Sequence, residues 1–311
     1  MKHSIAHIQK SLFEIYSESE INAFIGIIAQ EICGWTTAQF LLNKNTILND
    51  EQQEKIKKIV ARLQNHEPIQ YILGKTEFYS LPFEVNKNTL IPRPETEELV
   101  DWIISGHKNS AGKLLDIGTG SGCIAISLAK YLPKMEVWAL DISEKALEIA
   151  KRNAEKNRVK VDFYKKNILK KHCHCGLDPQ SSEKRGDSDF RQNDRLNEGI
   201  AGQARNDSDG FDVIVSNPPY VLENEKTEIQ KNVLEFEPHQ ALFVPNENPL
   251  LFYKAIADCA REKLKKGGAL YFEINRMFGK EIAEMLGEKG FFEIEIRKDL
   301  SGNERMIKCR K

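Results

Sequence analysis

The stretch Lys113-Leu114-Leu115-Asp116-Ile117-Gly118-Thr119-Gly120-Ser121-Gly122-Cys123-Ile124-Ala125-Ile126 decides the fold. Its first part is a short apolar run ending in an acid and reads as a buried parallel strand. The apolar residues from about Ser121 onward read as a helix. Between them, glycines at alternate positions let the backbone turn sharply from strand to helix and approach a bound molecule closely, while the helix N-terminus presents free N–H groups. A strand that turns on glycine into a helix is the opening unit of a doubly wound α/β sheet.

Downstream the rhythm continues. Glu136 to Leu140, Val159 to Tyr164, Phe211 to Ser216 and Ala269 to Ile274 read as strands, with helices from about Ser143, Pro249 and Phe278. Two final runs, Phe291 to Arg297 and Met306 to Cys309, lie too close together for a helical crossover and predict an antiparallel hairpin at one side of the sheet. The glycine spacing then narrows the ligand. A dinucleotide loop takes G-x-G-x-x-G for a pyrophosphate, whereas this one is G-x-G-x-G with an acid two residues before the first glycine. S-adenosylmethionine suits it better: its carboxylate can meet loop amides, its ammonium an acid such as Asp116, and it carries no phosphate. The expected cofactor contacts are Asp116, Gly118, Thr119, Gly120, Ser121, Gly122 and Asp141, the last ending the second strand where such folds place the acceptor of ribose hydroxyls.

The strand Phe211 to Ser216 runs directly into Asn217-Pro218-Pro219-Tyr220, where two prolines permit neither a longer strand nor an immediate helix. Methyl transfer from a sulfonium requires a lone pair in line with the breaking bond, and amide or exocyclic amino nitrogens have theirs delocalised. An Asn217 side-chain oxygen and a Pro218 carbonyl that accept the two N–H hydrogens would orient such a nitrogen and favour its pyramidal form, with Tyr220 stacked on the planar group. Such a site needs acceptors and no strong base. The alternative for this run is a tight turn with a buried aromatic.

Before this α/β part, residues 4–64 show helical periodicity: Ile5, Ile8, Leu12 and Ile15, then Ile21, Phe24, Ile25 and Ile28. A capping box at Ser17–Glu20, a stop at Gly34 and a cap at Asn49-Asp50 predict three helices. Glu77-Phe78-Tyr79 and Pro82-Phe83-Glu84-Val85 predict a linking hairpin. The expected organisation is a helical N-terminal substrate-recognition domain over 1–75, a hairpin linker over 76–92 and a catalytic domain over 93–311. Residues 170–210 are polar and aperiodic where a few residues normally suffice, and predict a disordered surface insertion. His172-Cys173-His174-Cys175 within it lacks the second ligand pair of a zinc site, so no metal is expected.

The chain has 311 residues, 45 basic and 46 acidic, for a formal net charge of −1. That balance gives no global field to attract nucleic acid or an anionic membrane. No signal-peptide core or span-length apolar run is present, and six scattered cysteines in a chain of this size point to reduced thiols in a cytoplasmic protein.

Taken together, Leu90-Ile91-Pro92-Arg93-Pro94-Glu95-Thr96-Glu97, the Gly118–Gly122 loop, Asp141, Asn217–Tyr220, Glu237-Pro238-His239-Gln240-Ala241-Leu242 and Asp299-Leu300-Ser301-Gly302-Asn303-Glu304-Arg305 resemble, in order, the signatures of the bacterial N5-glutamine methyltransferases of the PrmC/HemK type, which act on peptide chain release factors. The resemblance covers nearly everything except the insertion. It implies a Rossmann-like class I S-adenosylmethionine-dependent methyltransferase fold with a small all-α N-terminal domain, cofactor contacts that include Asn217, and a substrate glutamine from a Gly-Gly-Gln loop held by Asn217, Pro218, Pro219 and Tyr220. Asn167-Ile168 corresponds to the family position beside the adenine, usually an acid followed by an aromatic. Asn275 stands where the family commonly has glycine. Asn-Pro-Pro-Tyr is shared with adenine N6 methyltransferases of nucleic acid, the second reading. The third is a release-factor-binding protein whose insertion has abolished catalysis.

Overall fold

The computed structural model describes residues 1–170 and 210–311. The expected insertion, apart from its end residues, and the His172–Cys175 run therefore lie outside the described residues. The chain begins with helices α1 (Lys2–Leu12), α2 (Glu18–Cys33), α3 (Thr37–Leu42), α4 (Asp50–Gln64) and α5 (Ile69–Leu73). Ser17 and Glu20 form the capping box of α2, and Gly34 ends it in the left-handed conformation. The helix expected as the third is the fourth: α3 and α5 are too short to show periodicity. Each is marked only by its ends, a Thr36–Gln39 capping box on α3 and left-handed Gly74 after α5. Ile8, Leu12, Ile28, Ile56 and Leu63 form the core of this bundle, each contributing roughly 1.5–3 kcal/mol of burial.

Strands β1 (Lys75–Phe78) and β2 (Leu81–Glu84) form the hairpin, turning on Tyr79 and Ser80, which both have positive φ although neither is glycine. Helix α6 (Pro94–His107) holds that turn: Glu97 accepts from the Tyr79 N–H at 2.8 Å and Asp101 from the Tyr79 hydroxyl at 3.0 Å. Pro94 opens α6, its fixed φ and missing N–H costing nothing at a helix start.

The α/β part contains β3 (Gly112–Ile117), α7 (Cys123–Tyr131), β4 (Met135–Asp141), α8 (Glu144–Asn157), β5 (Asp162–Lys165), β6 (Phe211–Ser216), β7 (Val221–Leu222), α9 (Lys231–Phe236), β8 (Phe243–Val244), α10 (Leu251–Lys263), β9 (Leu264–Glu273), α11 (Gly279–Glu288), β10 (Phe292–Lys298) and β11 (Glu304–Arg310). Seven of the strands form one sheet in the order β10-β11-β9-β6-β3-β4-β5; β9, β6, β3, β4 and β5 run parallel, and β11 pairs antiparallel with β9 and β10. The two faces alternate along each strand. Leu114, Val213, Val215 and Tyr271 face α6, α7 and the hairpin. Leu115, Ile214, Leu270 and Phe272 face α10 and α11. Burial on both faces explains why these strands read as continuous apolar runs.

Two boundaries differ from expectation. The third strand begins at Asp162 rather than Val159, because Arg158 turns left-handed (φ 56°) and the Val159 N–H closes α8 on the Ala154 carbonyl. The strand expected from Ala269 begins at Leu264, which pairs with Phe211 across an irregularity next to two glycines; a Cβ at Gly268 would lie 3.1 Å from the Phe211 carbonyl oxygen.

Candidate active site

The chain reverses direction across the sheet between β3 and β6, the position where open α/β sheets carry ligands. Ile117 pairs with Ser216 there, and the Ser216 hydroxyl donates to the Ile117 carbonyl at 2.6 Å. Gly118 and Asn217, each one residue further on, therefore leave neighbouring strands side by side. On the other flank Ile117 pairs with Leu140, which sets Asp141 against Gly118.

The glycine loop is held by its own backbone. Gly118 and Thr119 both donate to the Leu140 carbonyl, at 2.8 and 2.9 Å, Gly122 donates to the Thr119 carbonyl at 2.8 Å, and Gly120 donates to Asp141 Oδ2 at 2.8 Å. These four N–H groups are thus engaged within the protein. What the loop offers a ligand is room: Gly118 (φ +78°) and Gly120 (φ +55°) have nothing within 4 Å of where a Cβ would stand. Gly122 does a different job, since a Cβ there would meet Ile126 Cδ1 at 2.8 Å and Ala150 Cβ at 3.1 Å, where α7 packs on α8.

Asp116 lies fully buried beneath the loop, accepting from the Thr119 hydroxyl at 2.7 Å through Oδ2, while Oδ1 has no hydrogen-bond partner. Burial pushes its carboxyl up to about 7, against the pull of Thr119 and of the Ala125 N–H in the first turn of α7. Asp141 accepts from Ser143 N–H through Oδ1 and from Gly120 through Oδ2, leaving each oxygen a further lone pair, and burial raises its carboxyl above the ordinary range. Thr119 and Ser121 are buried. Asn167 and Ile168 follow β5 and come next to Asp141, whose carbonyl accepts the Lys166 N–H at 2.8 Å. Ile168 packs against the core face that holds Leu140.

The Asn217–Tyr220 turn opens on a pocket lined by Leu90, Arg93, Asn217, Pro218, Tyr220 and Glu273, with Val221, Ala241 and Leu242 at its side. Asn217 Nδ2 donates to the Thr96 hydroxyl at 3.3 Å, and the Tyr220 phenol donates to Glu273 Oε1 at 3.0 Å. Burial, reinforced by the Glu273 charge, raises the Tyr220 phenol well above its ordinary value. Asn275 braces the turn from behind, donating to the Tyr220 carbonyl at 3.1 Å and accepting from the Met277 N–H at 3.0 Å. Arg93 ion-pairs with the buried Glu237 at 2.6 Å, and Glu237 also accepts the Ile91 N–H at 3.2 Å. Burial raises the Glu237 carboxyl, with Arg93 pulling the other way.

Every expected site residue among Gly118–Gly122, Asp141, Asn167–Ile168 and Asn217–Tyr220 thus stands at one end of the sheet. Sequence reasoning missed Arg93 and Glu273 as pocket residues, and Thr96 as the buried partner of Asn217. Arg93 and the neighbouring glutamates read as ordinary capping and pairing, and Arg93 does pair, yet it also lines the pocket. Glu273 carried a usable signal: like Asp116 and Asp141, it is an acid at the carboxyl end of a buried apolar strand.

The chain is 45% identical to the release factor glutamine methyltransferase of Flavobacterium psychrophilum over 96% of its own length and 95% of that protein's. It belongs to the release factor glutamine methyltransferase family. A second member, from Bacteroides thetaiotaomicron, is 41% identical over 99% of each chain. Family models described as the PrmC N-terminal domain and the methyltransferase small domain match residues 4–74 and 99–178. Among solved structures, the hMettl16 catalytic domain in complex with the MAT2A 3'UTR hairpin 6 superposes with a TM-score of 0.51 at 15% identity, covering 84% of this chain and 82% of that one. That likeness speaks to the fold alone, a Rossmann-like class I methyltransferase sheet, mostly parallel and ending in an antiparallel hairpin, with a helical region before it. Among the described residues no helix is long and apolar enough to cross a membrane.

Proposed function

We propose that this protein transfers a methyl group from S-adenosylmethionine to the side-chain amide nitrogen of the glutamine in the Gly-Gly-Gln motif of peptide chain release factors, giving N5-methylglutamine. The observation that carries this reading is the register of β3 and β6, which brings a glycine cradle and a ring of hydrogen-bond acceptors to adjacent strand ends. When bound, S-adenosylmethionine supplies an electrophilic methyl group on a sulfonium.

The open space over Gly118 and Gly120 takes the methionine part of the cofactor beside Thr119, Ser121 and Gly122, and the unpartnered Oδ1 of Asp116 is the acceptor beneath the loop for its ammonium. Asp141 receives the ribose hydroxyls on its remaining lone pairs, and Asn167 and Ile168 border the adenine, where Ile168 packs without stacking. On the acceptor side, Asn217 Oδ1 and the Pro218 carbonyl accept the two hydrogens of the glutamine NH2. Pro219 holds the turn rigid, and Tyr220, fixed by Glu273, lies against the amide plane. Two acceptors turned toward one nitrogen favour the pyramidal form that develops positive charge; on transfer the N–C bond would form as the S–C bond breaks, leaving S-adenosylhomocysteine, and the surplus N–H proton would pass to solvent. No strong base is required. Residues 1–75 form the release-factor recognition domain, 76–92 the hairpin linker and 93–311 the catalytic domain, acting in the cytoplasm without a direct nucleic-acid or membrane partner.

Incubating the chain with a release factor and S-adenosylmethionine labelled in the methyl group tests this, with an adenine-containing oligonucleotide in parallel. Label on the release factor and none on the oligonucleotide is expected. Label on adenine would replace this reading with nucleic-acid methylation, and release-factor binding without cofactor binding would leave a binding protein.

A further inference from the structure

The side-chain amide of Asn217 can show the pocket either its oxygen or its NH2, and only the oxygen can accept a hydrogen from a substrate NH2. The choice is made by groups behind it. Asn217 Nδ2 donates to Thr96 Oγ1 at 3.3 Å, the Thr96 hydroxyl donates to Glu273 Oε2 at 2.6 Å, and the Tyr220 phenol donates to Glu273 Oε1 at 3.0 Å. The chain of bonds joins three separate segments: the first turn of α6, the turn after β6 and the end of β9.

Its polarity follows from Glu273. Burial raises the Glu273 carboxyl, and the Thr96 and Tyr220 hydrogen bonds and the Arg305 charge pull it back toward the ionised form; as a carboxylate it accepts hydrogen bonds and donates none, so both hydroxyls point their hydrogens at it. Thr96 then turns only lone pairs toward Asn217, which must answer with its NH2, and Asn217 Oδ1 is left facing the pocket. Glu273 is 1% exposed. Burying a carboxylate is costly, and two neutral side chains could join these strands more cheaply. The two hydroxyls meet different oxygens, and a glutamine or a protonated glutamate would turn a donor toward one of them, so only the carboxylate makes both hydroxyls donate at these two positions.

We infer that Thr96 and Glu273 are positioning residues which set the polarity of the acceptor site: Glu273 orients the Thr96 hydroxyl, and Thr96 decides which end of the Asn217 amide meets the substrate nitrogen. This rests on the reading of the acceptor as a side-chain NH2. Neither residue touches the substrate nitrogen in this account. Both act through Asn217 and Tyr220.

The test uses the full chain with release factor as substrate, comparing Thr96→Val, which keeps the shape and removes the hydroxyl, with Thr96→Ser and Glu273→Gln. Turnover at saturation, KM for the release factor and S-adenosylhomocysteine affinity by calorimetry are measured for each. Thr96→Val and Glu273→Gln are expected to lower kcat on the order of 10- to 100-fold, the cost of a misdirected contact, with KM and cofactor affinity little changed. Thr96→Ser is expected to restore most of the rate. Wild-type kcat in Thr96→Val and Glu273→Gln overturns the inference, as does a Thr96→Ser variant no better than Thr96→Val, since the side-chain volume rather than the hydroxyl would then matter. If Thr96→Val fails to fold, Glu273→Gln decides the matter: a kcat lowered at unchanged KM supports the inference and a wild-type kcat overturns it. A wild-type chain that binds S-adenosylhomocysteine but leaves the release factor unmethylated overturns the functional reading, and the inference falls with it.

Discussion

The turn after β3 and the turn after β6 stand side by side and are held in shape by opposite means. Four backbone N–H groups and three left-handed glycines fix most of the first, with Asp116 and Asp141 assisting through side chains and Asn153 of α8 donating to the Ser121 carbonyl at 2.9 Å. The second is fixed from outside, by Thr96 from α6, Glu273 and Asn275 from the end of β9, and behind them Tyr253, whose hydroxyl accepts the Asn275 N–H at 3.3 Å. A backbone-held loop is indifferent to most side chains but intolerant of a Cβ, whereas a side-chain-held turn depends on hydrogen-bonding groups far away in the sequence. Substitutions in the two turns should therefore damage different quantities, cofactor affinity in one case and turnover in the other.

The largest expected effect is that of Asn217→Ala, which removes an acceptor from the reacting nitrogen and lowers kcat on the order of 10²- to 10³-fold, with a much smaller loss of S-adenosylhomocysteine affinity from the cofactor contact that the family resemblance also implies for Asn217. Parallel turnover assays and calorimetry check it; a variant that loses affinity and keeps its rate would break the division between the two turns. Next comes Gly118→Val. A β-branched residue at φ +78° is strained by about 1–3 kcal/mol and fills the open space above the loop, so cofactor affinity should fall roughly ten- to hundredfold. Gly122→Ala sharpens the contrast within the loop, because its Cβ would meet Ile126 and Ala150 rather than a ligand. It should cost about 1–2 kcal/mol of stability in urea unfolding, from the left-handed backbone and the crowded helix contact.

A further effect, read in pH, concerns Asp116. Its carboxyl stands at about 7 in the folded chain against an ordinary 3.8, so between those values the folded state holds a proton that the unfolded state has lost. The group's contribution is fully present below about pH 4 and is lost as pH rises through 7, with a slope of at most about 1.4 kcal/mol per pH unit. Thermal melts of wild type and Asp116→Asn across this range should diverge in that sense; parallel curves would show that Asp116 does not titrate within it.

The same contrast explains what could be read from sequence. The glycine loop writes its geometry locally: three glycines at alternate positions after an apolar strand specify both the turn and the space above it, and Asp141 follows at a regular interval. Asn217 to Tyr220 were legible as a turn with acceptors for the same reason. Thr96 was not, and Glu273 showed only as an acid at a strand end, because their work depends on contacts 121 and 177 residues apart along the chain, which no local pattern encodes. Asn275 read as a departure from the family pattern, and its function as a brace for Tyr220 became visible only in three dimensions. The short helices α3 and α5 escaped because one and a half turns give no periodicity, while the long helices and the central strands, whose apolar faces are complete, were placed to within a few residues.

The central claim is that the acceptor turn presents oxygens to the NH2 of a release-factor glutamine. Tandem mass spectrometry of a release factor incubated with S-adenosylmethionine and either wild type or Asn217→Ala tests it most directly. A single methyl group on the glutamine of the Gly-Gly-Gln loop with wild type, formed on the order of 10²- to 10³-fold more slowly with Asn217→Ala, is the predicted result. Methylation at another residue, or at the same glutamine at equal rates with both proteins, would contradict it.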